Sequence, residues 1–418
     1  MYLSGSKMNM NRKRRRSGNP LAILGLLALI GGALYVNYFI VPVTPPLFIP
    51  TPTPTRSPDS FLADARSFIE EAKYPQAVAA YDQAIQSDPT NINTYIEVSR
   101  VQILYGDYDS ALTNIANALL LNSNYSLAHA LQGWALGRQG DYLQAEAALR
   151  KAIEIDPGNG LAYAFYAETL ATQQIAGKGD LTTIDRMIEL SRQAQQFAGN
   201  EMETHYARGL VLEATGNYVD AINEFQAAVS QNEMLADLQL ALGRNYRYDN
   251  QYDMAVTHFN RAIALRPDDP LPYLYTARTY MTVGEYAKAI QYAEQAIQQD
   301  PTDPVLYGNL GTFLFRLARY GEAVEPLQLA TSGGATETGE LVQGMPLDEV
   351  SVEYYARLGL SLSLSGRCGE ALRVGQSILQ IFPDDETQIY NVGEMSNNCA
   401  GQLDESAPTQ EPTATEAP

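Results

Sequence analysis

Arginine, histidine and cysteine are the residue types through which this chain could do chemistry. Three histidines are present, His129, His205 and His258, and two cysteines, Cys368 and Cys399. The sequence has no Gly-x-Ser-x-Gly elbow, no His-Glu-x-x-His zinc pair and no phosphate loop; Gly177-Lys178 lacks the earlier glycine that a Walker motif requires. The cysteines have neither Cys-x-x-Cys spacing nor a nearby histidine, which argues against a redox or metal role. The arginines offer more. Arg66 and Arg100 are 34 residues apart, as are Arg244 and Arg278, and Arg247, Tyr248 and Tyr275 fall close to the second pair. A guanidinium binds carboxylate bidentately and stacks on aromatic rings. A fold that set such residues side by side would suit a carboxylate or an extended acidic peptide.

The elements needed for that follow a repeat of the same length. Aligning on Ala-x-x-x-aromatic-x-x-Ala followed by proline gives Ala77, Tyr81, Ala84 and Pro89, then Ala145, Leu149, Ala152 and Pro157, then Ala255, Phe259, Ala262 and Pro267. It recurs as Ala289, Ala293, Ala296 and Pro301. A preceding half carries a small residue near its middle (Gly133, Ala167, Gly209, Gly243, Ala277, Gly311, Gly359), with a tyrosine four positions earlier in several units (Tyr163, Tyr273, Tyr307, Tyr355). The halves are joined by turns such as Gly106-Asp107-Tyr108, Gly140-Asp141-Tyr142 and Gly216-Asn217-Tyr218.

These residues resemble the tetratricopeptide repeat, whose 34-residue unit reads W-x-x-L-G-x-x-Y, then A-x-x-x-F and a terminal proline. The resemblance covers most of residues 58–385, with units starting at 58, 92, 126, 160, 202, 236, 270, 304 and 352. It implies an all-α fold: a right-handed α-solenoid of about nine helical hairpins plus a C-terminal capping helix, preceded by one transmembrane helix. The physics agrees. A small residue at the eighth position of a unit lets its first helix approach the second, and a large residue at position 24 fills the gap. Glycine ends the first helix in a left-handed cap, and proline stops the second. One hairpin cannot bury both faces, so neighbours must stack.

The expected organisation is a basic cytoplasmic N-terminus at 1–20, a transmembrane helix at 21–41, a Pro/Thr-rich stalk at 42–57, units one to four at 58–201 and units five to eight at 202–330. An inserted loop at 331–351, the ninth unit with its capping helix at 352–400 and a disordered tail at 401–418 complete it. The fourth unit is eight residues too long, with a second helix expected around Thr183 to Phe197. The capping helix is expected at Glu386 to Ala400, where Cys399 would reach back to Cys368 and clamp the end of the array.

Leu21 to Val41 is uncharged over 21 residues, and a helix of about 20 residues spans a bilayer core. Arg12-Lys13-Arg14-Arg15-Arg16 precedes it and should stay cytoplasmic, which places the repeats outside. A cleaved secretory signal is the competing reading; the apolar run exceeds a usual signal core and no Ala-x-Ala site follows. A pair of cysteines in an exported protein is more often bridged than free. Six of the 28 Lys and Arg lie before residue 20 and no Asp or Glu lies before residue 59, so the remainder carries 22 basic against 48 acidic residues. That balance argues against nucleic acid as a partner.

In the resembled family the groove is lined mainly by first-helix positions 2, 5, 6, 9, 12 and 13. Applied to nine units, this gives basic residues Arg66, Arg100, Arg138, Arg244, Arg247, Arg278, Arg316 and Arg357. The acidic ones are Asp59, Glu70, Glu97, Glu168, Glu203, Glu213, Asp237 and Glu353, and Trp134, Phe165, Tyr206 and Phe315 join them. Arg244, Arg247, Tyr248, Tyr275 and Arg278, with Arg66 and Arg100, are the candidate partner-binding residues. The alternative is that these arginines pair with groove carboxylates such as Asp237. His129 and His205 fall at the fourth position, normally a packing aromatic, and read as structural.

The sequence therefore describes a protein-interaction scaffold presented outside the membrane, with protein or peptide ligands in its concave groove and no catalytic residues, cofactor, metal or small-molecule substrate. An accessory subunit or chaperone of an envelope secretion, pilus or polymer-synthesis machine is the second reading.

Overall fold

The computed structural model describes residues 19–40 and 56–405. The basic N-terminus, most of the Pro/Thr stalk and most of the expected tail lie outside the described residues. The chain divides into two compact units, Met1–Ser57 and Pro58–Pro418. The first contains helix α1, Pro20–Tyr35, which runs on into a wider turn at Val36–Ile40. Asn19 caps it, and Pro20 occupies a first-turn site where a missing N–H costs nothing.

The second unit is a stack of helical hairpins. They are α2 (Pro58–Glu70) with α3 (Tyr74–Ser87), α4 (Ile92–Tyr105) with α5 (Tyr108–Leu121), and α6 (Ser126–Arg138) with α7 (Tyr142–Ile155). Next come α8 (Gly160–Ile175) with α9 (Leu181–Ala198), α10 (Met202–Ala214) with α11 (Tyr218–Gln231), and α12 (Ala236–Tyr248) with α13 (Tyr252–Leu265). Then follow α14 (Pro270–Val283) with α15 (Tyr286–Gln299), α16 (Pro304–Arg316) with α17 (Tyr320–Ser332), α18 (Val352–Leu364) with α19 (Cys368–Ile381), and the lone α20 (Glu386–Glu405). The expected α-solenoid is the observed fold.

Within a hairpin the close contact is between the small residue of the first helix and the large residue of the second. A Cβ added to Gly243 would lie 2.4 Å from the Phe259 ring, one at Gly133 2.4 Å from Leu149 Cγ, and one at Gly311 2.5 Å from Leu327 Cγ. These partners are fully buried. Between hairpins a tyrosine ties four of the first helices to the preceding proline turn: Tyr95, Tyr163, Tyr273 and Tyr307 donate to the carbonyls of Pro89, Pro157, Pro267 and Pro301 at 3.0–3.2 Å.

Turns inside the hairpins need a left-handed residue. Gly106, Gly140, Gly216, Gly284 and Gly366 supply it, but Ala72, Asn250 and Ala318 stand at the equivalent place with φ of 55°, 61° and 57°. An L-alanine in that region costs about 1–2 kcal/mol.

Three departures have physical causes. The long fourth unit lengthens both helices, and α9 begins at a reciprocal cap between Asp180 and Thr183. Its partner α8 is apolar or small on nearly every face (Ala162, Ala164, Phe165, Ala167, Leu170, Ala171) and is enclosed by its neighbours, as an all-round apolar helix must be. The segment expected as an inserted loop contains an antiparallel ribbon, β1 (Gly334–Ala335) with β2 (Leu341–Val342). Val342 is buried beside Tyr307 and Ala330, and Tyr355 Oη donates to Thr331 O at 2.9 Å and Met345 O at 2.7 Å, which pins both ends of the segment. The capping helix extends past Ala400 to Glu405, and Cys399 on it is joined to Cys368, with Cα atoms 5.6 Å apart.

Replacing Ala318 with glycine is expected to raise unfolding stability by about 1 kcal/mol, read by chemical denaturation. Gly243→Val is expected to lower it by about 3 kcal/mol, because the Phe259 ring has no room to retreat. Gly393→Ala, where a methyl would meet open space, is the control and should gain about 0.5–1 kcal/mol.

Candidate binding surface on the inner helices

The arginines singled out by spacing divide into two groups. Those in the first five hairpins are engaged by carboxylates. Arg66 reaches Glu97 at 3.2 Å, and Arg100 reaches Glu203 at 2.5 Å across hairpins two and five. Arg138 bridges Glu168 at 2.5 Å and Asp237 at 2.6 Å, and Asp237 also accepts from Arg266 at 3.0 Å. Tyr74 of the first hairpin donates to Met234 O at 3.4 Å, just before the sixth. The inner faces of hairpins one to five therefore engage one another and Asp237 of the sixth. Trp134 and Phe165, candidate anchors on the sequence, are core: their rings stack 4.3 Å apart and both are buried.

Burial and pairing set the charges of this cluster. Burial works against the Arg138 charge, but Glu168, Tyr206 and Asp237 outweigh it and raise its pKa well above the usual value. Burial pushes the Glu168 carboxyl up, and Arg138 offsets this only in part. Asp237 is also desolvated, but two guanidiniums, Arg138 and Arg266, hold its pKa below the ordinary aspartate value.

At the sixth and seventh hairpins, Arg244 and Arg278 do project side by side, their guanidiniums 6.0 and 5.5 Å from the Tyr275 ring centre. Arg244 is nonetheless held bidentately by the buried Glu213 at 2.8 and 2.9 Å, and Asn245 donates to the same carboxylate at 3.0 Å. Glu213 thus takes the Nε/Nη2 edge of this guanidinium and neutralises its charge. Tyr248 stacks on Tyr218 at 4.7 Å and under Arg247 at 5.8 Å. Arg247 and Arg278 have no carboxylate partner among the described residues, and with Arg316 and Arg357 they line a cavity of about 240 Å³.

The histidines make structural contacts. His129 Nε2 lies 3.1 Å from Ser123 O, the place taken by a proline carbonyl in other units, and His205 Nδ1 lies 2.7 Å from Glu224. His258 Nδ1 meets Gln239 Oε1 at 2.8 Å. No cluster of metal-ligating side chains occurs among the described residues.

Comparison with known proteins decides the family. Profiles described as tetratricopeptide repeat match residues 126–159, 240–304 and 280–332. The chain is a tetratricopeptide repeat protein. It is 24% identical over 200 residues to human tetratricopeptide repeat protein 6, covering 47% of this chain and 37% of that one. It is 27% identical over 90 residues to the tetratricopeptide repeat and J domain-containing co-chaperone DNJ1 of Cryptococcus neoformans, covering 22% of this chain and 17% of that one. The repeat protein thus spans well under half the length of these relatives. Among solved structures, yeast Tom70 aligns with a TM-score of 0.43 at 14% identity, over 84% of this chain and 97% of its own. The type IV pilus biogenesis factor PilW aligns with a TM-score of 0.42 at 21% identity, over 49% of this chain and 91% of its own.

The structure places Arg244, Arg247, Tyr248, Tyr275 and Arg278 on the inner helices α12 and α14 of the tetratricopeptide repeats. The sequence carries a further signal, segregation of charge along the inner helices. Of the inner acidic positions, all but Glu353 lie at or before Asp237, whereas Arg278, Arg316 and Arg357 all follow it.

Arg138→Met strands two carboxylates and is expected to cost about 3–5 kcal/mol in denaturant unfolding. Asp237→Asn should also destabilise at neutral pH. Because the folded pKa of Asp237 is lowered, its contribution is complete above the ordinary aspartate range near ~4 and is lost as pH falls through the folded value. The gap between this variant and the parent should therefore shrink on acidification.

Proposed function

We propose that this protein is a protein-interaction scaffold, held at a membrane by α1 and presenting its repeats on the extracytoplasmic side. Tetratricopeptide repeats serve as protein-interaction scaffolds, and the surface available for that here is the inner face of hairpins six to nine. The observation that carries this reading is the contrast between the two halves. The inner arginines before Asp237 are tied to carboxylates of the chain itself, whereas Arg247, Arg278 and Arg316 have no ion-pair partner among the described residues.

The anchor rests on Pro20–Phe39, 20 residues of helix with every side chain exposed and no charge. Only a helix can cross hydrocarbon as a single segment, because its backbone groups are satisfied internally. The basic run at Arg12–Arg16 argues for a cytoplasmic N-terminus. The bridge between Cys368 and Cys399 fits an oxidising compartment beyond the membrane.

The test is extraction at alkaline pH together with an alkaline phosphatase fusion at Glu405, in a bacterial host. The expected outcome is a full-length chain retained in the membrane pellet with an active fusion. A shortened chain in the supernatant would replace the anchor with a cleaved signal. An inactive fusion would overturn the extracytoplasmic placement.

A further inference from the structure

We propose that the cavity lined by Arg247, Arg278, Arg316 and Arg357 binds carboxylate side chains of an acidic, extended segment of a partner protein. The inference rests on the scaffold reading and adds the site and the ligand chemistry. The four arginines belong to α12, α14, α16 and α18, so one comes from each of four consecutive inner helices and together they form a row across the stack. Only one carboxylate, Glu353, joins them in the cavity wall, and it pairs with Arg357 on its own helix. The site therefore carries an excess of three positive charges in a protein whose net charge is −20.

The row is held in place but unfilled. Arg278 Nε donates to Asn309 Oδ1 at 2.9 Å, which leaves the far edge of its guanidinium without an acceptor among the described residues. Arg357 Nη1 donates to Thr312 Oγ1 at 3.2 Å, and Asn309 is itself oriented by bonds to Val305 O at 2.7 Å and Tyr354 Oη at 3.2 Å. Arg247 Nε is buried and has no hydrogen-bond partner. With its Nε sealed from solvent and unpaired, Arg247 keeps an uncompensated charge at the cavity wall, and that charge calls for an anionic partner. A carboxylate meets that need with two oxygens, in the bidentate geometry that guanidinium favours.

Size and long-range charge narrow the ligand class. At about 240 Å³ the cavity has room for about eight waters at ~30 Å³ each, more than one small inorganic anion fills. Met281, Phe313 and Tyr354 supply apolar wall between the charges, which suits the methylene stems and backbone of a peptide. A long polyanion such as nucleic acid would meet the acidic remainder of the surface and be repelled. A short acidic stretch places its carboxylates in the row while its neighbours remain neutral.

The test uses the full-length protein in detergent and fluorescence anisotropy with a fluorescein-labelled octaglutamate peptide, with octaglutamine as control. The expected result is saturable binding of octaglutamate that weakens with salt, no binding of octaglutamine, and a loss of at least about tenfold in affinity in Arg247→Gln/Arg316→Gln with an unchanged melting temperature. Arg192→Gln, on the exposed side of α9 and outside the cavity, should bind as the parent does. Equal binding by the double variant, or no binding by the parent, would overturn the site. Displacement of the peptide by equimolar inorganic phosphate would assign the cavity to phosphate and also overturn the carboxylate proposal. The scaffold reading would survive each of these results, because membrane retention and fusion activity are measured separately.

Discussion

The solenoid depends on one short-range contact, a helix backbone bared by glycine or alanine and covered by the large side chain of the returning helix. It brings the two helices of a hairpin close enough that neither Gly243 nor Gly133 could carry a methyl group, and it fixes the angle at which the next hairpin can stack. Where the large partner is itself missing, the structure finds a substitute. Gly375 occupies that place in the ninth hairpin, and Met395 of α20 fills it instead, against Gly359. The last helix is thus a continuation of the same packing rule by a residue from outside the repeat.

From that rule follows the division of labour on the inner face. The long fourth hairpin places α8 among its neighbours on all sides, and the chain around it curls until hairpin two meets five and three meets six. Side chains that would line a groove in a more open array become partners for each other. Arg138, between two carboxylates and over Trp134 and Tyr206, is the centre of this closure. Its ion pairs are buried, so their net worth lies less in added stability than in the penalty for any arrangement that leaves one charge unpaired. Beyond Asp237, Arg244 is still held by Glu213, but Arg247, Arg278, Arg316 and Arg357 line a cavity.

Most of the hairpin architecture was legible in the sequence because it rests on residues whose neighbours lie within one repeat. Gly209 and Phe225 meet inside a single hairpin, and Tyr163 with Pro157 spans one turn; spacing alone predicts both. The inner face was legible only as a set of positions. Whether Arg100 is free or bound depends on Glu203, 103 residues away, and that meeting depends on the curvature accumulated over several hairpins. No local pattern encodes it. The ribbon between Gly334 and Val342 escaped for a different reason: two-residue strands carry no periodicity, and what orders them is the hydroxyl of Tyr355 beyond the segment.

The link between Cys368 and Cys399 gives the array mechanical polarity. It closes a 31-residue span that contains α19 and most of α20, so tension applied past Cys399 is passed through the covalent bridge to the start of the ninth hairpin. Stacked repeats otherwise yield by peeling from a free end, one unit after another. Here the end most distant from α1 in sequence resists peeling, and a pull transmitted along the chain would instead open the hairpins next to Pro58, where the covalent reinforcement is absent among the described residues.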